Sequence, residues 1–208
     1  MLGALQLAFI DSVNLLLIGV IVAVGIAARA NYAKTTALLI AGDWCGVAGL
    51  ALVMLVIFDG LGPVVQRFVE GPVFGILLIA TGLFTALLAV RGGDNSALTQ
   101  KIMRPLHTPG VATVLTGVVL GLIQSATSVP FYGGLVLLSA AGIDAQVRYA
   151  TIPLYATVAL SLPTLAAFAV GWVRAKPDSA AARGFDWARA HPSQVTAAAT
   201  WAVSALLV

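Results

Sequence analysis

Charged residues are scarce in this chain. Asp, Glu, Lys and Arg make up 9% of the 208 residues, whereas hydrophobic residues make up 60% and the mean hydropathy is +1.02. A soluble domain of this size needs a much larger charged surface, so the composition indicates an integral membrane protein. The 11 Lys and Arg exceed the 8 Asp and Glu only slightly and lie in separate loops. We therefore expect the lipid bilayer, and no nucleic acid, as a partner.

Residues for redox, metal and catalytic chemistry are equally few. Cys45 is the single cysteine, which excludes a CxxC pair and an intramolecular disulfide. The two histidines, His107 and His191, share no ligand spacing with other donors, so we expect no metal site. The sequence has no GxSxG, HExxH or phosphate-binding glycine motif. We therefore expect neither an enzyme nor a bound cofactor.

The apolar runs predict an all-α protein with six transmembrane helices. Helices of about 20 residues suit a hydrocarbon core about 30 Å thick. We expect the glycines and proline of the stretch 59–63 to end the second helix, and Pro153 and Pro163 to kink the fifth. The predicted spans are residues 2–28, 35–58, 73–90, 111–141, 149–172 and 193–208.

The polar stretch 92–110 divides the chain into two halves, 1–91 and 111–208, each with three predicted spans. Most basic residues fall in the loops after spans one, three and five, and Arg67 and Arg148 lie in the other two. The positive-inside rule then makes the linker 92–110 cytoplasmic and both termini extracytoplasmic in a multi-pass inner-membrane protein. Since three is an odd number, the second half enters the membrane inverted, which predicts two inverted three-helix repeats.

Two polar stretches interrupt the predicted spans near their centres. Residues 10–14 (Ile-Asp-Ser-Val-Asn) lie in span one and residues 123–130 (Ile-Gln-Ser-Ala-Thr-Ser-Val-Pro) in span four. Aligning 10–14 with 123–127 keeps Ile and Ser identical. Irregular backbone at membrane depth is tolerated only inside protein or beside a watery cavity. Interrupted helices at corresponding positions of inverted repeats predict a transporter's binding site.

Asp11 is the leading candidate for proton or ion coupling. On a continuous helix, Asp11 and Asn14 would share one face. A carboxylate at the bilayer centre costs at least about 2.5–3.5 kcal/mol on insertion scales, so Asp11 should face the interior or a cavity. The alternative is an acid that only ties span one to span four by a hydrogen bond.

Asp43 is the second candidate for coupling, and it lies between Gly42 and Gly46 in span two. Small residues four apart let another helix backbone approach closely, which would bring a partner to the acid. The alternative is close packing with an acid that is only hydrogen-bonded. Gly117 and Gly121 form a similar pair, and we expect it to pack against span one.

Span four offers neutral polar groups and a proline. We expect Pro130 to break the helix and free carbonyl groups near Ala126, although an ordinary proline kink is the alternative. The first contact expected is Asp11 with Gln124. The candidates for contact with substrate or an ion are the neutral polar residues Asn14, Gln124, Ser125, Thr127 and Ser128.

The second half carries a recognisable pattern. The run Gly-Val-Val-Leu-Gly at 117–121 continues through Pro130, Tyr132 and Leu135 to Ser-Ala-Ala-Gly at 139–142. With six short spans and the acid and Asn of span one, it resembles the LysE-like exporter superfamily, nearest the actinobacterial GAP/Sap lipid-addressing group. The resemblance implies inverted triplets, outward export and involvement with cell-envelope glycolipids. Leu15 stands where much of the superfamily has proline.

Three functions compete on this basis. The first is export of a lipid or lipid-linked envelope precursor, coupled to protons through Asp11 and Asp43. Too few polar groups surround the predicted site for an oxygen-rich cation cage, which favours a lipid over the second function, export of an amino acid or an ion. The third is a non-transporting scaffold that binds envelope-assembly partners through its glycine-rich faces. A homo-oligomer is compatible with each.

Overall fold

The computed structural model describes residues 2–27, 31–70, 106, 108–176 and 179–191. These residues form α-helices and no strand. The predicted spans 73–90 and 193–208 and most of the linker 92–110 lie outside the described residues. The helices are α1 (Leu2–Asp11), α2 (Leu15–Ala27), α3 (Tyr32–Glu70), α4 (Val111–Ala126), α5 (Val129–Ser139), α6 (Ala145–Ala150), α7 (Ile152–Ala159), α8 (Ser161–Ala175) and α9 (Ala180–Ala190).

Two described segments are long and apolar enough to cross a membrane. They are Tyr32–Gly60 within α3 and Ala145–Ala175, which comprises α6 to α8. Two broken pairs also qualify if each is one span: α1 with α2, bent by 43°, and α4 with α5, bent by 76°. The described part of the chain therefore contains two to four candidate membrane spans, which agrees with predicted spans one, two, four and five.

The second predicted span is longer than expected. The stretch 59–63 was expected to end it, yet α3 continues through Pro63 to Glu70, and Arg67 lies on this helix rather than in a loop. A glycine costs a helix only about 1 kcal/mol relative to alanine, and a proline removes one donor to the carbonyl four residues earlier. Asp59 supplies that carbonyl.

Pro153 and Pro163 interrupt the fifth span, as predicted. The helix stops at Ala150 and again at Ala159, and each proline then lies in the first turn of the next helix, α7 or α8. A proline is tolerated there because the amide groups of the first turn have no partner within the helix.

The helices α3 and α4 pack backbone against backbone. A Cβ atom on Gly42 or Gly46 would collide with the carbonyl oxygen of Val114 or Val118, respectively. Across the interface, a Cβ atom on Gly121 would collide with the backbone of Asp43. The predicted close approach at Gly42 and Gly46 is therefore confirmed. The expected partner of Gly117 and Gly121 was wrong, because both pack against α3 and not against span one.

Two hydrophobic clusters lie at opposite ends of the helices, so they show in which direction each helix runs. The first contains Ala8 of α1, Leu55 of α3, Phe131 of α5 and Tyr155 of α7. The second contains residues of α2, of the first turns of α3, of α4 and of α8, namely Leu17, Leu39, Leu120 and Val170. The chain passes from the first cluster to the second in α1–α2 and in α6–α8, and in the opposite direction in α3 and in α4–α5. Both helix breaks lie between the clusters.

An ion-pair network closes the end of the bundle near the first cluster. The Asp59 carboxylate accepts hydrogen bonds from Arg148 Nη2 at 2.7 Å, Ser139 Oγ at 2.7 Å and Tyr149 Oη at 3.1 Å. Arg148 also donates to the carbonyl oxygen of Ser139 at 3.1 Å. The network joins α3, α5 and α6, so it holds three of the candidate spans together at the same end of the bundle.

Candidate functional site

The first helix break occurs without a proline. The buried Ser12 hydroxyl donates back to the Phe9 carbonyl at 2.5 Å, and the Asn14 side-chain oxygen accepts the Leu17 amide at 3.0 Å. Hydroxyl and amide side chains that bond the local backbone in this way compete with a continuous helix. The shared helix face expected for Asp11 and Asn14 was therefore wrong, because α1 ends at Asp11 and Asn14 caps α2.

The second break is built in the same manner. The Thr127 hydroxyl bonds back to the carbonyls of Ile123 and Gln124, both at 3.1 Å, while Ser128 Oγ accepts the Phe131 amide at 3.1 Å and caps α5. Pro130 lies in the first turn of α5, after the break. The predicted break at this proline is present, although Pro130 starts the new helix rather than kinking a continuous one.

The carbonyl group expected to be freed near this break is already bonded. The hydroxyl of Tyr132 donates to the Ala126 carbonyl oxygen at 3.2 Å. The Ala126 carbonyl group is therefore satisfied within the chain and is not left free as expected.

The two breaks are joined reciprocally. Asn14, which caps α2, donates from Nδ2 to Gln124 Oε1 in the last turn of α4. Ser128, which caps α5, donates from Oγ to Asp11 Oδ1 at the end of α1. Spans one and four therefore meet at their polar centres, as predicted. The expected pairing of Asp11 with Gln124 is replaced by these two hydrogen bonds.

Asp43 enters the same network from α3. Its carboxylate is fully buried, and both of its oxygens accept from Gln124 Nε2, at 3.0 and 2.7 Å. Gln124 can reach Asp43 because Gly121, one turn earlier on α4, lies directly against the Asp43 backbone. Gln124 is therefore the residue that connects the two breaks to the second acid.

The direction of this hydrogen-bond chain is fixed at one end. The Leu17 amide can only donate, so Asn14 must turn its oxygen toward Leu17 and its nitrogen toward Gln124. Gln124 then has to turn its nitrogen toward Asp43. The chain ends on a group that accepts at both oxygens, which a carboxyl group can do and a carboxamide cannot.

A cavity of about 350 Å³ opens between the two breaks. Its polar lining consists of five of the predicted residues, and its apolar lining includes Ile10, Val13 and Ile123, which are 54–55% exposed. Asp43 is not part of the lining, because Gln124 lies between it and the cavity. The predicted polar residues that line the cavity are Asp11, Asn14, Gln124, Thr127 and Ser128, and Pro130 lines it as well.

Ser125 does not contact the cavity. It continues the small-residue face of α4 with Gly117 and Gly121, is 1% exposed, and its hydroxyl has no hydrogen-bond partner among the described residues. The prediction that Ser125 contacts substrate is not met by this placement. Residues 121 and 125 are one helical turn apart, so Ser125 faces α3 while its neighbour Gln124 faces the break.

Sequence reasoning missed Tyr155. Its buried hydroxyl lies 3.5 Å from the Pro130 carbonyl and 3.4 Å from the Phe131 carbonyl, and its ring packs under Gly134. Tyr155 therefore supports the first turn of α5 through these backbone carbonyls. The sequence offered one signal for this role, a tyrosine within an apolar run. A hydroxyl group buried there requires a hydrogen-bond partner.

Within the described ranges, no group of three His, Cys, Asp or Glu side chains is placed to hold a metal ion. No family model, curated protein or solved structure matches the chain.

Proposed function

We propose that this protein is a proton-coupled membrane exporter whose binding site is the cavity between the two helix breaks. The observation that supports it most is that two interrupted helices meet at a cavity. Asp11, on the first of them, lines this cavity, and Asp43 is hydrogen-bonded to Gln124 on the second. Broken helices paired in this way are the usual construction of a transporter's central site.

Proton coupling is supported by how each acid is held. Asp43 is buried, and the described residues give its side chain only the two hydrogen bonds from Gln124 Nε2, so its negative charge is poorly compensated in a low-dielectric interior. Asp11 lines the cavity, so it can exchange protons with solvent that enters there. Proton uptake at these acids would change the hydrogen bonds that hold the two breaks together, which links protonation to a change of shape.

The cargo we favour is a lipid or a lipid-linked cell-envelope precursor. The exposed apolar residues at the cavity, Ile10, Val13 and Ile123, suit an entry from the lipid phase, and the five polar lining residues suit a headgroup. The resemblance to the LysE-like superfamily and its GAP/Sap group supports the same cargo. An amino acid or an ion remains the second candidate, because the cavity is also large enough for those.

The architecture we propose has six helices in two inverted repeats, with both termini extracytoplasmic. The α1–α2 and α4–α5 pairs run in opposite directions between the two hydrophobic clusters, as do α3 and α6–α8, which supports the inversion. The scaffold alternative is weakened, because Gly42, Gly46, Gly117 and Gly121 are already occupied by contacts within the chain.

The cavity is tested by cysteine labelling. In a Cys45→Ala background, we expect Thr127→Cys to react with a polar, membrane-impermeant thiol reagent, because Thr127 lines the cavity. Leu115→Cys is the matched control, since Leu115 lies on α4, the helix that ends just before Thr127, is 58% exposed and does not line the cavity. Equal reactivity of the two cysteines would contradict a water-filled site.

The coupling is tested with Asp11→Asn. In a strain that lacks the gene, the wild-type chain should restore the profile of lipids on the outer surface, whereas Asp11→Asn should leave it at the level of the deletion strain. Asp144→Asn is the control, because Asp144 is an exposed helix cap and Asn caps equally well. Undiminished export by Asp11→Asn across a range of pH would refute the coupling, and an unchanged lipid profile in the deletion strain would refute the lipid cargo.

A further inference from the structure

A second concave surface, a groove between α3 and α8, is separate from the cavity. It has a volume of about 550 Å³ and shares no lining residue with the cavity. Its walls are the first turns of α3, from Tyr32 to Ile40, and the last turns of α8, from Thr164 to Ala175. The volume lies within the range of roughly 300–1,000 Å³ that is typical of small-molecule sites.

The groove presents hydrocarbon surface to a ligand. Three lining residues carry a hydroxyl group, and each hydroxyl already donates its proton to a backbone carbonyl. Tyr32 donates to Ala167 at 3.1 Å, Thr36 to Tyr32 at 2.9 Å and Thr164 to Leu160 at 2.7 Å. The remaining lining residues are apolar, apart from the indole N–H group of Trp172. The part of a ligand that lies inside the groove is therefore apolar.

The length of the groove matches one leaflet of a bilayer. At about 1.5 Å per residue, the wall from Tyr32 to Ile40 is about 12 Å long and the wall from Thr164 to Ala175 about 16 Å. Half of a hydrocarbon core about 30 Å thick is about 15 Å. The groove therefore spans the depth that a single acyl chain occupies.

One end of the groove carries positive charge. Lys34 is exposed in the first turn of α3, and Lys176 follows α8, with its ammonium group 4.5 Å from the centre of the Trp172 ring. The Arg174 guanidinium lies 5.1 Å from the centre of the Tyr32 ring. The described residues that line the groove include no acidic side chain. Tryptophan, tyrosine and lysine at the end of an apolar helix are typical of the membrane surface, where lipid headgroups lie.

We propose that this groove binds one anionic phospholipid, with an acyl chain between α3 and α8 and the phosphate headgroup against Lys34 and Lys176. The apolar walls select a lipid over a polar solute, and the two lysines select an anionic lipid over a zwitterionic one. Basic sites between transmembrane helices bind anionic headgroups by the same chemistry. The site is independent of the cavity and of the cargo that the cavity accepts.

The walls and the charges are tested separately. Gly171→Leu should fill the groove without disturbing the backbone, because a Cβ atom there meets only the Tyr32 ring, at 3.6 Å. Gly19→Leu is the matched control, since Gly19 is a glycine of α2 whose Cβ would meet nothing within 4 Å. The double variant Lys34→Gln with Lys176→Gln keeps the groove and removes its charge.

The measurement is lipid retention by the purified full chain, delipidated in detergent and then offered phosphatidylglycerol or phosphatidylcholine, with bound lipid counted by native mass spectrometry. Each lysine near an anionic headgroup contributes about five-fold in affinity, so the wild-type chain should prefer phosphatidylglycerol by roughly ten- to thirty-fold. The double lysine variant should lose this preference. Gly171→Leu should lose retention of both lipids, whereas Gly19→Leu should behave as the wild type.

The proposal is overturned if the wild-type chain retains the two lipids equally, if Gly171→Leu retains phosphatidylglycerol as well as Gly19→Leu does, or if the groove is covered by a second copy of the chain. Export measured in parallel separates this site from the cavity. A loss of lipid retention with export intact supports an independent site.

Discussion

Replacing Gly42 by alanine should destabilise the protein by about 3 kcal/mol or more, the upper part of the range for overpacked interiors. The added methyl group would collide with the Val114 carbonyl oxygen, a backbone atom of α4 that cannot rotate away. The helices α3 and α4 would have to separate, which also loosens the contact of Gly121 with Asp43. At roughly 2–4 °C per kcal/mol for a chain of this size, the melting temperature in detergent should fall by about 6–12 °C.

Gly49→Ala is the control for this result. Gly49 lies on the same helix, is exposed, and has nothing within 4 Å of its ideal Cβ position. Alanine there should be neutral or stabilise the helix by about 0.5–1 kcal/mol, because glycine loses more backbone entropy on folding. If both alanines lowered the melting temperature equally, the destabilisation by Gly42→Ala could not be assigned to contact with α4.

The glycine spacing predicted that helices would touch, but it could not predict which ones. Small residues at every fourth position lie on one face of a helix and leave its backbone accessible to another helix. This pattern can be read from neighbouring residues alone. Gly42 and Gly46 therefore gave a correct expectation of close approach. The choice of α3 as the partner of Gly117 and Gly121 depends on contacts between residues far apart in sequence, which no local pattern contains.

The helix breaks could be located from the sequence for a similar reason. Polar side chains within apolar runs conflict with a continuous lipid-spanning helix, and the structure breaks both helices within residues 11–15 and 126–129. The partners of Asp11 and Gln124 were not predictable, since they depend on where α1 ends and on how each amide group is turned. Ser125 was assigned to the site on its polarity alone, although its position one turn after Gly121 places it against α3.

Gln124 holds the chain of hydrogen bonds together, and the direction of that chain makes Asp43 hard to replace. The Leu17 amide orients Asn14, Asn14 orients Gln124, and the Gln124 nitrogen then faces both oxygens of Asp43. An asparagine at position 43 would turn its own NH₂ group toward that nitrogen. Asp11 differs, because its partner is the hydroxyl of Ser128, which can rotate to suit either side chain.

Asp43→Asn should therefore destabilise the protein by about 1–3 kcal/mol, the cost of leaving buried polar groups unpaired. Gln124→Glu should also destabilise it, because two buried carboxyl groups would face each other. The double variant, Asp43→Asn with Gln124→Glu, reverses donor and acceptor in this one link. The carboxylate introduced at position 124 can accept both from Asn14 and from the amide introduced at position 43, so we expect most of the stability to return.

The measurement is thermal unfolding in detergent of the wild type, the two single variants and the double variant, analysed as a double-mutant cycle. Asp11→Asn is the control within the same site, and it should unfold close to the wild type even though it no longer supports export. A double variant no more stable than the worse single variant would contradict the direction of the hydrogen-bond chain. Restored stability would show that Gln124 couples α3 to the two breaks through directed hydrogen bonds, so that a proton added to Asp43 is felt at both of them.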